Sequence, residues 1–159
     1  MKRLLLAGLA ASIGFAAWTG VAGAQLLSST GPVIAILDGE LLVGEATGHL
    51  GGWGTLTLHS RSSAGPTCVG EFSRTDAHGD AGELRCSDGA RAAFHFQRLS
   101  LTRGYGAGNS ELSALTFTYG LSAEESEPYL RIPPGKILRR EGDELELAAA
   151  APLPAPSSR

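Results

Sequence analysis

The sequence predicts an all-β domain, mainly an antiparallel meander, small barrel or sandwich, with one short helix. Apolar residues occur in short runs, and turn-forming residues recur about every ten positions along the chain. The 22 glycines favour frequent turns over long helices. Two cysteines, Cys68 and Cys86, suit a single disulfide within such a domain. Together these observations indicate about six to eight short strands.

The N-terminal segment has the features of a cleavable signal peptide. Lys2 and Arg3 precede an uncharged apolar stretch from Leu4 to Trp18, and residues 22–24 are small. This stretch is shorter than the ~20 residues that a membrane-spanning helix needs. We therefore expect cleavage after Ala24, export to the periplasm or the cell exterior, and no transmembrane segment in the mature chain. An uncleaved N-terminal anchor is the alternative.

The remaining residues are expected to form one domain over residues 33–148, because their number suits a single core. A polar linker over residues 25–32 precedes it, and a disordered Ala/Pro/Ser tail over residues 149–159 follows it. The full chain carries a net charge of −3, and removal of residues 1–24 would make it more acidic. An acidic protein lacks the basic surface that nucleic acid requires, so no nucleic-acid partner is expected.

The first strands follow from two apolar patterns. Residues 33–37 form a continuous apolar run that ends at a turn formed by Asp38 and Gly39. Residues 40–47 and 55–60 are expected to pair as a hairpin across a glycine-rich stretch. Leu56 and Leu58 alternate there with polar residues, which is typical of a half-buried strand.

The two cysteines define the register of the next hairpin. Strands over residues 68–73 and 81–87, centred on Ala77, place Cys68 opposite Cys86 and put Gly70 and Phe72 on the same face as both cysteines. Thiols of exported proteins oxidise, and neither a zinc-binding set nor a redox Cys-x-x-Cys motif is present. We therefore expect a structural Cys68–Cys86 disulfide, with free or intermolecular thiols as the alternative.

The following turn is expected to be a three-residue loop over residues 87–89, with Gly89 in the left-handed conformation. A two-residue turn would mix apolar and polar side chains on one face, because a slip of one residue moves every side chain across the sheet. The longer loop keeps the apolar residues of both strands on the face of the disulfide, and these are Leu84, Cys86, Ala92, Phe94 and Phe96.

The C-terminal part of the domain yields five further expectations. Residues 99–103 are expected to continue as a strand with Leu99 and Leu101 inward, and residues 104–109 to form a flexible glycine bend. Alternation through residues 115–119 predicts a strand. A capping box at Ser122 and Glu125 predicts a short helix. Residues 136–140 and 144–148 are expected to form a final hairpin with Leu138 opposite Leu147.

No catalytic or cofactor-binding signature is present in the chain. The glycines of residues 104–108 lack the strand–helix context of a nucleotide-binding loop, so no cofactor is expected. Asp76, His78 and Asp80 alternate in one turn and are weak candidate metal ligands, but solvated turn residues are the favoured interpretation. We therefore expect no catalytic residue, no cofactor and no metal.

Two groups of residues are candidate contacts for a ligand or a partner. Trp53 and Tyr105 lie in glycine-rich segments, where exposed aromatic rings stack on sugars or peptides or cover a small core. Arg139 and Arg140 belong to a basic cluster that suits an anionic partner. The acidic residues of the same hairpin, over residues 141–146, would neutralise this cluster, and this internal pairing is the favoured interpretation.

Residues 84–89, followed by Phe94-His95-Phe96, resemble small exported β-barrels that inhibit lysozyme. The resemblance covers only residues 84–96, and no site is carried over from it. The missing catalytic signature, the disulfide-linked β scaffold and the glycine-rich segments with scattered aromatic residues favour a non-catalytic binding or structural module of the cell envelope that contacts an envelope protein or a glycan. The alternatives are a secreted hydrolase with dispersed site residues and an inhibitor of such a hydrolase that presents residues 74–80 as a loop.

Overall fold

A computed structural model describes residues 28–75, 79–110 and 114–151 of the chain. Eight antiparallel strands form a closed barrel in which each strand pairs with the next and the last pairs with the first. The predicted antiparallel all-β fold with one short helix is confirmed, and it is a barrel. The strands are β1 (Ser28–Leu37), β2 (Glu40–His49), β3 (Trp53–Ser60), β4 (Thr67–Thr75), β5 (Gly79–Cys86), β6 (Arg91–Arg98), β7 (Gly104–Ser110) and β8 (Ala114–Tyr119).

A short C-terminal unit follows the barrel. It consists of helix α1 (Ala123–Ser126), a 3₁₀ turn (Glu127–Tyr129) and a hairpin of β9 (Lys136–Glu141) and β10 (Glu144–Ala149). None of the helices in the described ranges is long and apolar enough to cross a membrane. The expected signal peptide lies outside the described residues, and so do residues 152–159 of the expected tail. Ala149, expected to begin that tail, is instead the last residue of β10.

The register expected around the disulfide is confirmed. Cys68 pairs with Cys86 across β4 and β5, and the two residues form a disulfide. Gly89 has a φ of 92°, and Leu84 pairs with Ala92, as the three-residue loop requires. The apolar residues of β5 and β6 therefore share the inner face of the barrel, where they join the main core.

Small and aromatic residues alternate around the inside of the barrel. Gly82 lies between Phe72 and Phe94 on the neighbouring strands, and Gly106 lies between Phe96 and Phe117. A Cβ atom on either glycine would collide with an aromatic ring of a neighbouring strand. An eight-stranded barrel has little interior space, so the glycines leave the volume that the rings occupy.

This alternation explains why the predictions for residues 99–109 are wrong. Residues 104–110 form strand β7 rather than a flexible bend, because its inward glycines Gly104 and Gly106 lie beneath aromatic rings of β8. Residues 99–103 form the preceding loop rather than a strand. Leu99 and Leu101 are 54% and 80% exposed instead of inward.

The outer face of β1 and β2 carries a second core. Ile34, Ile36 and Leu41 point away from the barrel interior and are buried by the C-terminal unit, which contributes Leu138 and Leu145. The pairing expected in the final hairpin is confirmed, since Leu138 lies opposite Leu147. Apolar residues therefore occupy both faces of β1, which accounts for its continuous apolar run.

The first strand begins before the expected start of the domain at residue 33. Strand β1 begins at Ser28, and Thr30 pairs with Thr47, so residues 28–32 are part of the barrel rather than a linker.

The expected capping box of α1 is present: Glu125 N–H donates to the Ser122 hydroxyl, and Ser122 N–H donates to the Glu125 carboxylate. The hydrogen bond from the Ser122 backbone N–H lowers the pKa of the Glu125 carboxyl group most, and the hydrogen bond from Arg103 lowers it further.

Candidate functional site

A cavity of about 290 Å³ occupies one end of the barrel. Larger buried side chains, among them Leu42, Leu58 and Leu115, fill the opposite end. At the cavity end, Gly31 on β1 and Gly48 on β2 line the cavity, and they have no side chains that would fill it. Eight-stranded barrels either fill their interior with side chains or hold one small ligand there. This barrel combines a packed half with a hollow half.

Aromatic rings form the base of the cavity, which we call the aromatic floor (Phe72, Phe94, Phe96 and Phe117). Phe94 and Phe117 meet edge to face with ring centroids 5.1 Å apart, and Phe72 and Phe96 do so at 5.3 Å. Edge-to-face pairs hold rings in defined orientations. The floor therefore offers a preformed apolar surface to a ligand.

Three polar residues above this floor form what we call the polar wall (Arg74, Arg98 and Tyr119). Asp80 is only 7% exposed, and its carboxylate accepts a hydrogen bond from Arg98 Nε. Arg74 Nε lies 3.8 Å from the other oxygen of the same carboxylate. A buried carboxylate needs such partners, so Asp80 holds the two guanidinium groups together.

The Tyr119 hydroxyl is a buried polar atom of the wall that lacks a hydrogen-bond partner among the described residues. The ring meets Phe96 edge to face at 5.8 Å and lies over Gly104, where a Cβ atom would collide with it. Burial raises the pKa of Tyr119, so its hydroxyl keeps its proton and remains a hydrogen-bond donor.

Exposed apolar side chains surround the mouth of the cavity. Leu50 is 73% exposed and Leu101 is 80% exposed, and both line the cavity at the barrel end. Trp53, at the start of β3, stacks on His49 with ring centroids 3.9 Å apart. The predicted ligand contact Trp53 therefore lies at the mouth of the cavity, although β3 rather than a loop carries it.

The other predicted contacts lie away from the cavity. Tyr105 is on the outer face of β7, where its ring stacks on Tyr129 at 4.2 Å and its hydroxyl donates to Gln97. Arg139 binds Glu146 within the C-terminal hairpin. Arg140 lies opposite Leu145 on the same hairpin and is exposed. These residues do not join Trp53 in one site.

Only one of the three weak metal candidates, Asp80, lies within the described residues. Asp76 and His78 lie outside the described residues, and so does the middle of the candidate inhibitory loop over residues 74–80. Asp80 faces the barrel interior and pairs with Arg98. Within the described part of the chain, no group of three or more His, Cys, Asp or Glu side chains is placed to hold a metal ion.

Sequence reasoning missed the polar wall, although the strand alternation contains a signal for it. Arg74 follows the inward Phe72 by two positions on β4, and Arg98 follows the inward Phe96 by two positions on β6. A period of two places each arginine on the inner face of its strand. Asp80 pairs with Arg74 in the register that the disulfide defines.

No family model, no curated protein and no solved structure matches this chain. The class of this protein is therefore defined by its fold and its cavity alone. It is an eight-stranded antiparallel barrel that encloses an apolar cavity at one end, above which the polar wall lies.

Proposed function

We propose that this chain is an exported binding module that holds one small, largely apolar ligand inside its barrel. The observation that carries the proposal is the cavity of about 290 Å³ with its aromatic floor. Small-molecule sites are typically concave, mostly apolar and preformed, with a few polar groups that orient the ligand, and their volumes begin at about 300 Å³. The cavity is at the lower end of that range, so the proposed ligand is small.

The placement of the histidines supports binding over hydrolysis. His59 and His95 are exposed on the outer surface of the barrel, and His49 stacks on Trp53 at the mouth. A hydrolase of the Ser-His-Asp type requires a histidine beside both a nucleophile and a carboxylate. Within residues 28–75, 79–110 and 114–151, no histidine forms an ion pair with a carboxylate.

Two features support export as part of this proposal. The protein contains the Cys68–Cys86 disulfide, and disulfides form and persist in oxidising compartments outside the cytosol. The first 24 residues carry the charge and apolar pattern of a signal peptide. The aromatic floor favours an apolar small molecule over the glycan considered from sequence, because sugars require many more hydrogen-bonding groups than the floor provides.

The proposal predicts that filling the cavity abolishes binding of an apolar probe. In Gly48→Leu, a Cβ atom fits, since its nearest neighbour is the Phe72 ring at 3.9 Å, and the rest of the leucine would enter the cavity. We expect the oxidised protein to bind the neutral dye N-phenylnaphthylamine with increased fluorescence. Gly48→Leu should weaken this binding at least about tenfold.

Ala93→Leu provides the matched control, because Ala93 is exposed on the outer face of β6. It adds the same side chain outside the barrel and should leave dye binding unchanged. Circular dichroism and thermal melting would show that both variants keep the fold. Equal dye binding by Gly48→Leu and the parent, with both folded, would contradict the proposal.

A further inference from the structure

We propose that the ligand is a single-tailed amphiphile with an anionic head group, such as a carboxylate, whose tail lies on the aromatic floor and whose head group contacts the polar wall. This inference rests on the proposed function and specifies the chemistry of its ligand. It follows from how the apolar and polar groups are layered, from the charge of the wall and from the size of the cavity.

The layering is repeated on three strands. On each of them, an inward aromatic residue is followed two positions later, towards the mouth, by an inward polar residue. These pairs are Phe72 and Arg74 on β4, Phe96 and Arg98 on β6, and Phe117 and Tyr119 on β8. A ligand that enters from the mouth therefore meets polar groups beside its outer end and apolar rings around its inner end. This arrangement matches the two ends of an amphiphile.

The charge of the wall selects an anion. The described residues that line the cavity include the guanidinium groups of Arg74 and Arg98 but no carboxylate, because Asp80 is buried beside Arg98 and does not line the cavity. The Asp80 carboxylate is thus the single negative charge beside the two positive charges of Arg74 and Arg98 in this cluster. Arg74 is the more exposed of the two, and its contact with Asp80 is the longer one, at 3.8 Å. A carboxylate head group would give Arg74 a closer charged partner.

Tyr119 adds a neutral donor to the same wall. Its hydroxyl is buried and makes no hydrogen bond to any described residue. Gly104 of β7 pairs with both Arg98 of β6 and Tyr119 of β8, so the two side chains lie on either side of this glycine. A buried hydroxyl without a partner is unfavourable in the empty cavity. A head-group oxygen would accept a hydrogen bond from this hydroxyl while it contacts the guanidinium groups. The wall therefore provides both charge and a directed donor.

The volume of the cavity restricts the number of tails. A volume of 290 Å³ equals the space of about ten water molecules in the liquid. One medium-length chain fills such a space, whereas the two chains of a phospholipid do not fit.

The test compares three ligands that share one tail: decanoate, decanol and decylamine. Each displaces bound N-phenylnaphthylamine from the oxidised parent protein and from Arg74→Gln and Tyr119→Phe. Decanoate should bind the parent at least about tenfold more tightly than protonated decylamine, because the cation meets two guanidinium groups. Arg74→Gln should weaken decanoate about tenfold and leave decanol within about twofold. Tyr119→Phe should weaken decanoate about threefold.

Arg85→Gln is the matched control, since Arg85 is exposed on the outer face of β5 and pairs with Glu83 at 3.2 Å. It removes one positive charge without altering the cavity and should leave the decanoate affinity within about twofold. Equal effects of Arg74→Gln on decanoate and decanol, or tighter binding of decylamine, would overturn the anionic head group while the proposed apolar site stands. Failure of the parent to bind the dye would instead overturn the proposed function itself.

Discussion

Replacing both cysteines in the variant Cys68→Ser/Cys86→Ser is expected to lower the melting temperature by about 10 °C. The disulfide joins β4 to β5 and closes a loop with a sequence separation of 18. Such a loop contributes about 3 kcal/mol by restricting the unfolded chain. In a domain of this size, each kcal/mol shifts the melting temperature by about 3–4 °C. Scanning calorimetry of the oxidised protein and of the variant measures the difference.

Reduction of the parent protein provides the control for this prediction. With a thiol reductant present, the melting temperature of the parent should fall towards that of the double serine variant. The variant itself should not respond to the reductant, because Cys68 and Cys86 are the two cysteines of the chain. A variant that melts at the temperature of the oxidised parent would show that the bridge contributes nothing to stability.

The second large effect is expected for Asp80→Ala, which should lower the free energy of unfolding by about 3 kcal/mol. Asp80 is 7% exposed and accepts from Arg98, and Arg74 lies nearby. Removing the carboxylate leaves the partly buried Arg98 guanidinium without its anionic partner, which costs more than the pair itself contributes. Urea denaturation followed by circular dichroism measures the change.

Two further variants separate this cause from a general effect of losing a carboxylate. Glu83→Ala removes an exposed carboxylate that pairs with the exposed Arg85, and it should cost less than about 1 kcal/mol. Adding Arg98→Leu to Asp80→Ala removes the unpaired guanidinium, so the double variant should recover part of the lost stability. An Asp80→Ala variant as stable as Glu83→Ala would contradict the role given to the buried pair.

The register around the disulfide was predictable because several local signals agree. The cysteines, the alternation on β5 and β6 and the turn at Gly89 all require the same pairing, and a slip of one residue would expose the apolar face. The final hairpin was predictable for the same reason, since Leu138 and Leu147 face each other in one register. Short-range patterns with period two are thus sufficient where consecutive strands pair.

Strand β7 was not predictable from its own residues, because its glycines carry no apolar pattern. Gly104 and Gly106 are inward positions only in relation to Tyr119 and Phe117, whose rings occupy the space above them. That relation depends on pairing with β8. Residues 99–103 were wrongly predicted to be a strand, because the alternation of Leu99 and Leu101 with polar residues in this loop resembles a strand pattern.

The candidate site was only partly predictable. Trp53 was predicted as a candidate ligand contact, and it lies at the mouth of the cavity. Arg98 and Tyr119 lie on β6 and β8, and they come together across β7. The cavity exists because the barrel closes through the pairing of β8 with β1. Closure over so long a separation leaves no local signal, so the cavity itself required the three-dimensional structure.

The most direct test of the account is a nuclear Overhauser experiment on the oxidised protein with bound decanoate. The account predicts contacts between the protons of the decanoate tail and the ring protons of Phe94 and Phe117 on the aromatic floor. Tyr105, on the outer face of β7, should show none. Contacts to Tyr105 or to the C-terminal hairpin, without contacts to the aromatic floor at saturating decanoate, would contradict binding inside the barrel.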